Sequence, residues 1–293
     1  MITMKSVAFA PGHISGFFEP IYQNQNADKS GSRGAGINIT FGATSQVIIK
    51  NSTSQIVNVY INKKQANAAV TKLAIKYLIG KNPLHIDINT SLDLPISQGF
   101  GMSGAGALSS TLACAKILQI SRIDALKAAH YAEVSLHTGL GDVLASSFGG
   151  IEIRREAGLP PWGMIEHIPG TYDIVICIIG KEIETKKILT DPLKIKEIAS
   201  YGRYCTKKIL EKPSIEKLFS LSQSFTKKTG LADKKLLEII NMANQFGMAS
   251  MCMLGNSVFA VGDTEKLCTI LSKFGRVYVC SVDQGGAQVL QTK

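Results

Sequence analysis

A chain of 293 residues with 45% apolar and 18% charged side chains can bury a full core, as one large domain or two ordinary ones, and is not expected to be disordered. Its formal charge of +10 is spread, with 14 Lys/Arg against 10 Asp/Glu in residues 1–170 and 18 against 12 in residues 171–293; without a basic stripe, nucleic acid is not the expected partner, and the excess suits the steering of small anions. The longest uncharged apolar run, residues 174–179, is too short to cross a bilayer, Pro11 and Gly12 interrupt the first segment before a signal-peptide core develops, and six scattered cysteines without a C-x-x-C pair read as reduced thiols, so a cytoplasmic protein with no membrane partner is expected.

In chain order, alternation predicts strands over residues 6–10, 36–50 and 52–62. A helix follows over 66–80, with Val70, Leu73, Ala74, Tyr77 and Leu78 at helical spacing and Gly80 as its stop. Residues 84–95 alternate again, with Ile86 and Ile88 on one face. A glycine-rich loop comes next, then helices over 104–118 and 123–137, the second entered by Ser121 as N-cap. "GGIEIRRE" reads as a strand. Pro160, Pro161 and Pro169 then break regularity, and a domain boundary is expected at 168/169. Beyond it the order is a strand (172–180), lysine-rich helices, and two strand pairs with a helix between them. This is two mixed α+β domains, not an alternating βαβ series.

The loop "PISQGFGMSGAGALSS" (residues 95–110) contains Gly99-x-Gly101-x-x-Gly104. A dinucleotide site would need an acidic residue ending a second strand about 20 positions on, but Asp124 opens a helix there. No G-x-x-x-x-G-K-[ST] occurs, and no V-A-I-K strand or H-R-D loop accompanies the glycines. What remains is a backbone free to turn its N–H groups toward an anion at a helix N-terminus. Ser103 adds a hydroxyl there. A phosphate site is favoured over a merely tight turn. Further on, His130, Glu133 and His137 share a helix face. Zinc is a possible occupant of that face, although the spacing is not H-E-x-x-H.

"PISQGFGMSGAGA" resembles the P-x-x-x-G-L-G-S-S-A phosphate loop of the galactokinase, homoserine kinase, mevalonate kinase and phosphomevalonate kinase (GHMP) superfamily. "APGHISGFFEP" resembles its N-terminal A-P-G motif, and "EVSLHTGLGDVLASSFGGIEI" its glutamate, S-G-x-D and G-G strand. Only the first two-thirds of the chain carries specific motifs, and the C-terminal glycine motif is reduced to "MLGNSVFAVGD". Met102 stands for the first serine of the S-S pair and His13 for the common lysine. With "SGSRGAGINI", these departures look most like the archaeal branch whose acceptor is the hydroxy acid pantoate.

The resemblance implies a two-domain α+β fold, with a nucleotide-binding domain over 1–168 and a ferredoxin-like domain over 169–293. It implies an ATP- and Mg²⁺-dependent kinase acting on pantoate, with mevalonate or homoserine as the alternative acceptor; a homodimer is compatible with it. Pro95, Gly99, Gly101, Ser103, Gly104, Ala105 and Gly106 would bind the nucleotide, and Ser103 and Glu133 the metal, a sparse set adequate for magnesium. Asp142 would be catalytic. Arg154, with His130 and Ser32, would hold the acceptor carboxylate, a task suited to the planar guanidinium fork. His130 taken alone reads equally well as a satisfied buried histidine. His13, His85 and His167 have no supporting pattern.

Overall fold

The computed structural model describes residues 4–23, 26–183 and 185–292. The chain opens with two long strands, β1 (Met4–Ile21) and β2 (Gly31–Asn51), paired antiparallel along their length. There follow β3 (Ile56–Ile61), β4 (Lys64–Gln65), α1 (Ala69–Ile79) and β5 (Leu84–Leu92). Helices α2 (Met102–Leu118), α3 (Arg122–Leu136) and α4 (Asp142–Phe148) precede β6 (Ile151–Glu156) and β7 (Met164–Ile168). β2 is the hub of this first sheet, pairing β5 through its second half and β6 through its first.

Where sequence reading ends the first strand at residue 10, the structure continues it to Ile21. The pairing shifts register between Pro11 and Gly12, and such an irregularity is where a strand tolerates proline. The shift lets the His13 backbone N–H bond Phe100 O of the glycine loop at 3.0 Å. β1 is thus tied to the loop through the A-P-G motif.

The second sheet is built from β8 (Asp173–Ile178), then α5 (Thr185–Leu189), α6 (Pro192–Glu211), α7 (Ile215–Thr229), α8 (Lys234–Ala243), β9 (Gly247–Met251), β10 (Ser257–Gly262), α9 (Thr264–Leu271) and β11 (Arg276–Ser281). Its antiparallel order is β11-β8-β10-β9, the βαββαβ arrangement of a ferredoxin-like domain with four helices in its first crossover. The last strand, β12 (Gln288–Thr292), leaves this sheet and pairs with β1. β11 and β12, expected as a pair, therefore belong to different sheets. The turn between them is held to the first sheet's side by Gly150 N–H on Asp283 O (2.6 Å) and Ala287 N–H on Ser146 O (2.8 Å).

Helix α2 is buried on nearly every side. Its Gly, Ala and Ser residues allow close packing on β1, β2, α1 and α3, and its interior hydroxyls are satisfied, as in Ser45 with Ser109 and Thr90 (both 2.8 Å). A helix anchored this way presents its N-terminus from a fixed position. One apolar cluster surrounds α1–α3, and another joins α6–α9 and the second sheet to Phe17, Phe18 and Ile37. Among the described residues, no helix is long and apolar enough to cross a membrane.

Candidate active site

A cleft of about 270 Å³ opens where the glycine loop, the α3–α4 connection and the second sheet's β9–β10 turn meet. Its walls include Gly99, Gly101, Ser103, Gly104, Glu133, Thr138, Asp142, Ser15 and Ser32, with Leu189, Met253 and Leu254 on the far side. Helix α2 starts at Met102, two residues before the expected start, because Gly101 takes the left-handed N-cap conformation (φ 62°). The first intrahelical bond is Ala105 N–H to Gly101 O, at 2.9 Å. No side chain caps the end. Its leading N–H groups and the helix dipole are therefore available to an anion in the cleft.

Glu133 reaches the same cleft from α3 while only 1% exposed. Alanine in place of Gly104 or Gly139 would put a Cβ 2.7 or 2.5 Å from Glu133 Oε1. The two glycines thus form a slot for this carboxylate. Glu133 Oε2 has no hydrogen-bond partner. Burial, then the charge of Asp142, hold the Glu133 carboxyl well above the usual carboxylate range, against the opposing Val143 N–H. An orphaned buried carboxyl oxygen at the cavity is a donor suited to a hard divalent cation. Ser103 and Thr138 contribute further oxygens to the walls, and Thr138 Oγ1 is likewise unpartnered.

Asp142 is the first residue of α4, a helix sequence reading passed over because seven residues between glycines show no readable period. Its Oδ1 lies 2.7 Å from His13 Nδ1. The other ring nitrogen, Nε2, lies 2.8 Å from Glu152 Oε1, on β6. Burial pulls the His13 pKa down, but the hydrogen bonds to Asp142 and Glu152 and the charge of Glu152 outweigh it and leave the pKa raised, against Arg154. His13 and Glu152 were missed from sequence. The available signal was Glu152 and Arg154 two apart on one strand, hence on one face.

Arg154 does not offer its fork to the cleft. It is fully buried and outside the cleft wall; Nη1 binds Glu152 Oε1, and Nη2 donates to Ser15 Oγ at 3.2 Å. Only Nε lacks a partner, and a Cβ on Gly141 would stand 2.8 Å from it and close against Ser32 Oγ. The expectation for Arg154 is a bidentate grip on the acceptor carboxylate; in the structure the guanidinium stands behind Ser15 and Ser32. His130 is also not in the cleft wall. Its Nε2 lies 3.1 and 3.0 Å from the carbonyls of Ala27 and Ser30, and burial lowers its pKa. It holds the turn leading into β2. His137, the αL C-cap of α3, turns its ring against Tyr22. Among the described residues, no three His, Cys, Asp or Glu side chains converge as a metal cluster.

Of the loop positions, Pro95 is exposed ahead of the turn and Ala105 faces the core. Gly106 lines a second cavity of about 200 Å³, with Ile61, Ala68, Val70, Thr90 and Leu92. Ile96, Met102 and Ser103 line both cavities. An apolar chamber therefore adjoins the cleft at the start of α2.

The GHMP kinases N-terminal domain family matches residues 64–150. A pantoate kinase of Methanocaldococcus jannaschii is 38% identical, covering 94% of this chain and 99% of its own. One of Thermococcus kodakarensis is 31% identical, covering 92% and 93%. A solved structure described as a phosphotransferase related to the CoA biosynthesis pathway superposes with TM-score 0.89 at 28% identity over 99% of both chains. A homoserine kinase from Cytophaga hutchinsonii shares the fold at TM-score 0.68 and 17% identity, over 98% and 97%. With that identity carried along nearly the full length of both chains, this chain belongs to the pantoate kinase family of the GHMP superfamily.

Proposed function

We propose that this protein transfers the γ-phosphoryl group of ATP to the 4-hydroxyl of pantoate. The observation that carries the reading is the meeting, in one cleft, of the uncapped α2 N-terminus, the orphaned Glu133 carboxylate and Asp142, in a chain 38% identical to a pantoate kinase. The N–H groups of the α2 start and loop would hold the ATP phosphates, and the apolar second cavity would take the adenine. Ser103 and Glu133 would hold Mg²⁺, whose chemistry is to offset negative charge on the phosphate oxygens. Asp142 orients the acceptor hydroxyl and takes its proton through the oxygen His13 leaves free. Ser32 meets the acceptor carboxylate, with the Arg154 charge behind it. Six unpaired thiols fit a reducing, cytoplasmic setting. The two sheets support a division near 168/169, with 288–292 returning to the first unit.

ADP release tests the acceptor. Pantoate should give turnover, and mevalonate and homoserine little. Preference for another acceptor would refute the pantoate assignment while keeping the kinase. Gly104→Ala should push the Glu133 carboxylate aside and raise the half-saturating Mg²⁺ concentration by about 10–100-fold. A magnesium titration at fixed ATP that matches wild type would remove Glu133 from the metal site.

A further inference from the structure

We propose that His13 and Glu152 are positioning residues of this reaction: a buried Glu152–His13–Asp142 chain holds His13 as a cation between two carboxylates and fixes one Asp142 oxygen, reserving the other for the acceptor hydroxyl. The inference rests on the role given to Asp142 above.

Both imidazole nitrogens lie within 2.8 Å of a carboxylate oxygen. An ionised carboxylate only accepts, so each ring nitrogen must donate, and a neutral ring has one proton to give. The competing arrangement has Nε2 accept from Arg154 Nη1, 3.1 Å away. That would set the Nε2 lone pair against Glu152 Oε1 at the shorter distance of 2.8 Å. Instead, both cations converge on Glu152 Oε1. The charge count agrees: Asp142 and Glu152 balance His13 and Arg154 only if His13 is protonated, and an unbalanced buried charge is costly.

The groups facing the ring are Asp142 from α4 and Glu152 and Arg154 from β6, while Gly36 on β2 meets it with backbone alone. Glu133 acts on Asp142, not on the ring. Glu152 is fully buried and absent from the cleft wall. Its influence must pass through His13.

A histidine with a raised pKa keeps its proton through the neutral range and loses it as pH rises through that higher value. Glu152→Gln removes one anion, so Arg154 and Asp142 balance without a charged ring, and His13 should deprotonate at lower pH. In the variant, kcat should approach wild type at about pH 6 and fall about 10–100-fold below it at about pH 8.5, the scale of a misplaced reacting group. The KM for ATP should not change. A purely structural role for Glu152 would move kcat alike at both pH values.

Nitrogen NMR of the full-length, histidine-labelled protein reads the ring directly. The His13 signal, identified by its loss in His13→Gln, should show two protonated nitrogens at about pH 7.5 in wild type and one in Glu152→Gln. A neutral His13 in wild type, or parallel pH profiles for the two proteins, would overturn the proposal. If Glu152→Gln does not fold, the wild-type spectrum decides alone. It needs no substrate, so failure of the pantoate assignment would be seen separately, in the turnover assay.

Discussion

Asp142→Asn should lower kcat by about 10²–10⁴-fold, or about 3–5 kcal/mol in the barrier. Asparagine keeps the size of the side chain at the start of α4 and can offer its oxygen to His13 Nδ1, which Asp142 Oδ1 now meets at 2.7 Å. What then faces the cleft is an amide N–H₂, which cannot take a proton from the acceptor hydroxyl. Because phosphoryl transfer passes through a loose transition state, part of the loss is in positioning and part in proton removal. The α2 start and the apolar chamber, the proposed ATP contacts, are left intact, so the KM for ATP should stay near wild type. Single-turnover kinetics isolate the chemical step. A rate within a few-fold of wild type there would take Asp142 out of the reaction.

Arg154→Met should destabilise the fold by about 3–5 kcal/mol. Arg154 and Glu152 are both fully buried and directly paired. Removing the guanidinium strands the Glu152 carboxylate in the interior with only His13 to offset it. The retained His13 contact places the expected loss toward the lower end. Replacing both partners, as Glu152→Met with Arg154→Met, should be less damaging than the single change, because no unpaired charge is left behind. Urea denaturation of the two single variants and the double variant measures the coupling. A midpoint unchanged in Arg154→Met would mean that the buried pair contributes little.

These two residues show where sequence reading reached and where it stopped. The glycine loop, the α2 helix behind it and the Ser121 cap of α3 were legible because each is a local pattern; Ser121 does accept the Asp124 N–H at 3.2 Å. Glu133 and Asp142 were legible through motif resemblance, and they do line one cleft. The His13–Asp142 and His13–Glu152 contacts join residues 129 and 139 positions apart, and no periodicity in either segment announces them. The surroundings of Arg154 were equally hidden: the resemblance implied a substrate contact, and only the fold shows Glu152 already on the guanidinium. His130 was ambiguous because the carbonyls of Ala27 and Ser30 that satisfy it lie on a distant turn. β12 was misplaced for a related reason: a strand following a turn signal is normally assigned to the preceding strand, whereas this one closes on β1.

Regiospecific transfer to the primary alcohol of pantoate can be read by phosphorus NMR of a completed reaction with ATP, Mg²⁺ and pantoate. The spectrum should show one phosphate monoester per ADP released, its phosphorus coupled to the C4 methylene protons. Coupling to the lone C2 methine proton, or ADP and inorganic phosphate with no ester, would rule out transfer to the 4-hydroxyl.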